Sequence, residues 1–234
     1  MKPKDFDAKY KTLVDEMYIR INDPERGREV IADGVHSADK YFHQDIRLVW
    51  MLKEPYDEGG GGWNYWEMFD GDDLYESQFK KGHKTTWHPI IYTSHGILNG
   101  FKKWEEIDFI RNNHDLAKIV REVAFINAQK LPSLGGTRTN MEDIRVSIKK
   151  YGDILLRQIE LLNPNVFIFA NTFNSYIPLL NLNEAELIHH GSCSYVAKEG
   201  KLYINAYHPA QTQVGGNVYT NDIVEVVKNW FNKK

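Results

Sequence analysis

Three polar residues stand just behind short apolar runs of this chain, where chemistry is most easily placed. Glu54 follows the run 46–52 across Lys53 and precedes Pro55, Asn127 closes Val123-Ala124-Phe125-Ile126, and His208 comes shortly after Leu202-Tyr203-Ile204-Asn205. A carboxylate at a cleft floor can orient water, an imidazole can donate a hydrogen bond to a departing group, and an amide can discriminate a polar edge. Each residue also has a structural use. Glu54 would pair with Lys53 or cap a turn, His208 would pack in its loop, and Asn127 would cap the end of its strand. Behind Glu54 come Tyr56, Trp63, Tyr65, Trp66 and Phe69. Such rings stack on a flat ligand, Tyr56 and Trp63 foremost, or pack as a lid on the core.

The elements that must position these residues follow from periodicity. Residues 46–52, 123–127, 166–170 and 202–205 read as four strands, the first bounded by Pro-Tyr-Asp and the glycine run 59–62. Apolar positions at helical spacing predict helices over 6–21 and 141–162, the latter capped by Asn140 and ended by Asn163-Pro164. A helix-like segment covers 109–121, Thr172 caps a short helix through Leu180, and a last helix follows Thr220. Alternation of strand and helix predicts an α/β fold with a central, mostly parallel four-stranded sheet and helices on both faces. In such sheets ligands bind beyond the carboxyl ends of the strands, which is where Lys53, Glu54, Asn127 and His208 fall.

Composition narrows the classes. A net charge of −3 with 26% charged residues argues against a disordered chain and against a generally basic nucleic-acid binder. The single cysteine, Cys193, is expected in a Ser-rich loop and forms no internal disulfide or four-cysteine centre, which suits a reducing, cytoplasmic setting. No apolar stretch approaches the roughly 18 residues of a membrane span. From Glu54 to Glu76 there are eight acids and no Lys or Arg, so this stretch repels phosphates. Basic residues gather at Lys80, Lys81 and Lys84, at Lys102 and Lys103, and at Arg145, Lys149 and Lys150, as solvated faces or as local contacts. The loop 133–139, with Arg138, is either an anion-holding turn before a helix or a plain glycine turn. His83, His88 and His95 near Asp70, Asp72 and Asp73 follow no metal-binding spacing, and Cys193 has no assigned base. No metal or cofactor is expected.

Taken in chain order, the motifs resemble the uracil-DNA glycosylase superfamily. Leu52-Lys53-Glu54-Pro55-Tyr56-Asp57 is similar to that family's first motif, Val123 to Asn127 to its base-reading strand, 163–172 to its third strand and following helix, and His208-Pro209-Ala210 to its last motif. The sequence departs from the family at Leu52, where a glycine is usual, at Lys53, and at Asp57, where the most similar subgroup has histidine. Ala210-Gln211-Thr212-Gln213 stands in place of the Ser-Pro and apolar wedge.

The resemblance implies a three-layer α/β/α sandwich forming one domain over 1–234, with an N-terminal helical segment over about 1–44. It implies hydrolysis of an N-glycosidic bond. Glu54 would be the water-activating carboxylate, His208 the donor to the departing base, Asn127 the reader of the base edge, and Lys53, Tyr56 and Trp63 further substrate contacts. The expected partner is single-stranded or damaged DNA, bound by a monomer without membrane association. The alternative is a non-catalytic protein of the same fold that binds a free nucleobase, nucleotide or other small ligand. A third use of the acidic aromatic loop is as a contact for a protein partner.

Overall fold

The computed structural model describes residues 3–80, 84–133 and 139–233. Six strands form one mixed sheet: β1 (Leu48–Leu52), β2 (Ala124–Asn127), β3 (Val166–Ala170), β4 (Ile188–His190), β5 (Cys193–Lys198) and β6 (Lys201–Ala206), in the order β2-β1-β3-β6-β5-β4. The strands β2, β1, β3 and β6 run parallel, whereas β5 and β4 are antiparallel to their neighbours. The four expected strands are therefore present, and the expectation of a four-stranded sheet is corrected by the β4–β5 hairpin added beyond β6. Cys193 heads β5 rather than lying in a loop. It is buried, and burial, with the nearby Asp222 charge, pushes its thiol up to about 12.

Seven α-helices accompany the sheet among the described residues: α1 (Pro3–Arg20), α2 (Ala38–Phe42), α3 (Tyr65–Met68), α4 (Lys84–Leu98), α5 (Met141–Leu162), α6 (Phe173–Leu180) and α7 (Gly216–Phe231). Strand β1 is apolar throughout because it is covered on both sides. Leu48, Trp50 and Leu52 join the cluster under α4 and α7, while Val49 and Met51 join the one under α1, α5 and α6. The Trp50 indole N–H donates to Ser94 Oγ at 2.9 Å, so the ring is buried with its polar atom satisfied. Helix α5 occupies the predicted span, with the Asn140 side chain accepting from the Glu142 N–H and Asn163 closing it in the left-handed conformation. The expected helix at 109–121 is a 3₁₀ helix over His114–Arg121, and α7 begins before Thr220. The N-terminal segment is helical only in part. Between α1 and α2 the residues from Val30 to Val35 are buried, and Val35 bridges Ala124 on the outer edge of β2.

The glycine run has a packing reason. The chain after β1 lies directly against the segment before Val30, with the Glu29 N–H donating to the Gly60 carbonyl at 2.7 Å and the Gly62 N–H to the Val30 carbonyl at 3.2 Å. At Gly61, φ is +99° and an added Cβ would lie 2.2 Å from the Glu29 carbonyl oxygen. Gly61→Ala is expected to destabilise the fold by about 3 kcal/mol, the sum of backbone strain and a clash with immobile backbone. Urea unfolding of the two chains measures this, and an unchanged midpoint would contradict the packing.

The anion-holding turn expected at 133–139 lies, apart from Ser133 and Thr139, outside the described residues, as do Lys81 and His83. Among the described residues no helix is long and apolar enough to cross a membrane, and no three His, Cys, Asp or Glu side chains gather as a metal site.

Candidate functional site

The parallel register brings the carboxyl ends of β1, β2 and β6 to one rim of the sheet. Leu52 stands beside Asn127, and Ala170 at the end of β3 stands beside Ala206 at the end of β6. A cavity of about 1210 Å³ opens there, and Lys53, Glu54, Tyr56, Trp63, Asn127 and His208 all border it. Residues far apart in sequence thus share one cleft, with an apolar lining from Leu52, Pro55, Met68 and Trp87.

Glu54 faces the cleft with an acceptor to spare. Its Oε2 is buried and has no hydrogen-bond partner among the described residues. Burial raises its pKa above the usual carboxylate value, opposed by the Thr139 hydroxyl and the Lys53 charge. A buried carboxylate oxygen without a partner can take up a water or face developing positive charge. A smaller recess of about 270 Å³ shares Glu54 as a wall with Gln129 and Asn140, and Arg28 in it is already paired with Asp23 at 2.5 Å.

His208 is held in one tautomer. The Ala210 backbone N–H donates to His208 Nδ1 at 3.2 Å, so in the neutral ring the proton resides on Nε2. Burial, assisted by the Lys53 charge, lowers its pKa from 6.5 to about 4, so the ring is neutral at physiological pH and its Nε2–H remains a donor. The turn behind it is drawn tight by Gln211, whose Oε1 accepts from the Val214 N–H and whose Nε2 donates to the Val214 carbonyl.

Because the folded pKa lies below the unfolded one, the unfolded chain takes up the proton first. The contribution of His208 to stability is present above 6.5 and is lost as pH falls from there through about 4, an effect of about 3 kcal/mol in all. The ring resonance of His208 is expected to titrate near 4 by NMR. Titration at the ordinary 6.5 would contradict the burial.

Asn127 is fully buried and rests on a polar network that the sequence reading missed. Its backbone N–H and its Nδ2 both donate to Asp33 Oδ2, at 2.7 and 2.9 Å, and Nδ2 also donates to Tyr65 Oη at 3.1 Å. Asp33 is fully buried and receives Lys130 Nζ on Oδ1 at 2.7 Å, while Gln158 accepts from the same ammonium at 2.8 Å. Gln158 Nε2 donates in turn to Asp33 Oδ1 at 2.7 Å and to Tyr10 Oη at 2.6 Å. Tyr10 donates to the Asp33 carbonyl at 2.7 Å, and only glycine fits at 34, where a Cβ would meet the Tyr10 hydroxyl at 2.2 Å. A lone acid in the apolar run Val30-Ile31-Ala32-Asp33-Gly34-Val35 was the legible signal of a buried charge.

The aromatic stretch divides its labour. Tyr65 and Phe69 are core residues, and Trp63 stacks on Tyr65 at 5.8 Å and 13°. The Trp63 indole N–H donates to Asp57 Oδ2 at 2.9 Å, which fixes its ring as a wall of the cleft. Burial opposes ionisation of Asp57, yet hydrogen bonds from Gly59, Trp63 and Gly61 hold its carboxyl below the usual range. Tyr56 stands at the exposed rim, its hydroxyl donating to Glu58 at 2.6 Å. Among the described residues bordering the cleft, Lys53 is the one lysine or arginine, against Glu54, Asp57 and Glu67. Burial lowers the Lys53 pKa, and Glu54 opposes that shift.

No family model matches the chain, and no curated protein matches it in sequence.

Proposed function

We propose that the cleft releases a nucleobase from DNA by hydrolysing its N-glycosidic bond, on a three-layer fold like that of the uracil-DNA glycosylases. The observation that carries this reading is the convergence of Glu54, Asn127 and His208 on one cavity from three different strand ends. In the proposed reaction the bond between the base nitrogen and the sugar C1′ breaks, and the electron pair leaves with the base. His208 Nε2–H meets the negative charge that develops there, and the Lys53 ammonium adds to the positive potential. Glu54 faces the oxocarbenium-like sugar and directs water to C1′, a new C–O bond forms, and the proton of that water passes through the carboxylate to the departed base. Asn127 contacts the base edge, and Trp63 offers a ring to stack on it.

A second reading, binding of a free nucleobase or nucleotide without cleavage, is favoured by the charge of the rim. Eight acids and no Lys or Arg between Glu54 and Glu76 oppose close approach of a phosphate backbone on that side. Labelled oligonucleotides carrying uracil, hypoxanthine or xanthine, single-stranded and paired, separate the two. Abasic sites in any of them support excision, whereas calorimetric binding of free bases with no abasic product supports binding alone.

A further inference from the structure

We infer that Lys53 is a nucleophile as well as a charge: its amine joins the C1′ aldehyde of an abasic sugar as an imine, and the DNA strand is then broken by β-elimination. This second activity rests on the proposed reading of the cleft as a site for a DNA nucleotide, and it acts on the product of base release. Two lysines follow the strand ends at this rim, and the fold uses them differently. Lys130, after β2, is fully buried and commits its ammonium to Asp33 Oδ1 at 2.7 Å and Gln158 Oε1 at 2.8 Å. Lys53, directly after β1, is half-buried and borders the cavity, and its Nζ has no hydrogen bond or ion pair among the described residues. Its backbone is held because the β1–β2 pairing continues beyond the strands. The Ala128 N–H donates to the Leu52 carbonyl at 3.0 Å and the Gln129 N–H to the Lys53 carbonyl at 2.9 Å.

An amine attacks a carbonyl only when unprotonated, a form that an exposed lysine rarely takes at neutral pH. Burial lowers the Lys53 pKa, so a larger share of the amine is neutral. Once the base has left, Nζ forms a bond to C1′ of the open sugar, and the aldehyde oxygen departs as water. Glu54, the next residue along the same rim with a buried, unpartnered Oε2, takes a proton from C2′. The C2′–C3′ double bond forms, the C3′–O bond breaks, and the phosphate leaves with that electron pair. Water then hydrolyses the imine, which frees Lys53 and leaves an unsaturated aldehyde, with no oxidant or reductant consumed. Abasic sugars rest mainly as closed hemiacetals, so strand breakage trails base release and intact abasic sites accumulate first.

The test supplies an oligonucleotide with one preformed abasic site to the full chain in the presence of borohydride, which reduces an imine to a stable amine. A covalent adduct is expected, and mass spectrometry of its digest should place it on Lys53. Lys53→Arg, which keeps the charge and lacks a nucleophilic amine, should lose both the adduct and the strand break. Glu54→Gln should still be trapped but break the strand about 100-fold more slowly. Mapping the adduct on the native chain answers the question even if a variant fails to fold. An adduct on another amine would overturn the inference alone. So would no adduct from a chain that binds an oligonucleotide carrying a tetrahydrofuran site, which has no aldehyde. Binding of neither oligonucleotide would overturn it together with the DNA reading of the cleft. An adduct on Lys53 without base release from any substrate would uphold it and overturn excision.

Discussion

Glu54→Gln is expected to abolish base release and to make the fold more stable. The substitution keeps the shape of the side chain and removes the charge that directs water and faces the sugar, which should lower the cleavage rate by about 100- to 1000-fold. The same charge is a burden to the folded chain, because burial raises the Glu54 pKa and Oε2 has no hydrogen-bond partner among the described residues. A carboxylate whose folded pKa is raised costs stability once pH exceeds its unfolded pKa, and the cost vanishes at lower pH where both states are protonated. The gain from Gln should therefore be about 1 kcal/mol near neutrality and should fade as pH drops below the ordinary carboxylate range. Thermal unfolding of both chains at neutral and acid pH measures this. A surface acid held by Lys53 predicts the opposite sign, with Gln destabilising at neutral pH.

Lys130→Met carries the largest expected effect on stability. Lys130 and Asp33 are both buried, 97 residues apart in sequence, and their ion pair is surrounded by Gln158 and the backbone and side chain of Asn127. Burial lowers the Lys130 pKa while Asp33 raises it, so the ammonium depends on its partner. Removing it leaves the carboxylate uncompensated in the core, at a cost of about 3–5 kcal/mol. Adding Asp33→Asn should recover part of that loss, since a neutral amide replaces the orphaned charge. Urea midpoints of the single and double variants check the coupling, and a single-variant loss under about 1 kcal/mol would contradict the pair's burial.

The legible and illegible parts of the molecule divide along physical lines. Strands β1, β2 and β3 announce themselves because burial on both faces demands uninterrupted apolar runs, and α5 because its apolar face repeats over many turns between two good caps. Strands β4 and β5 lack that signature. They are partly exposed at the end of the sheet and offer no continuous apolar run, so neither is among the strands that periodicity predicts. Helix α4 carries Pro89 inside its span, which local rules count against a helix and tertiary packing overrides. Glu54, Asn127 and His208 were legible as strand-end residues, since an α/β topology places such ends together. Of their support, only the lone acid Asp33 in its apolar run was legible, and its partners were not. Asp33, Lys130 and Gln158 meet only through the fold, and no local pattern pairs residues so far apart. Trp63 was expected as a stacking face, yet its commitment to Tyr65 and Asp57 is visible only in three dimensions.

The central claim, that three strand ends form a site for base excision, is tested most directly by product analysis. A single-stranded oligonucleotide bearing one uracil, and a second bearing hypoxanthine, would be incubated with the native chain and with Glu54→Gln, and free base and abasic sites quantified together. The account predicts equal amounts of both products from the native chain on at least one substrate, and neither from the variant although it still binds the free base. Abasic sites formed equally by the variant, or by neither chain on any substrate, would contradict it.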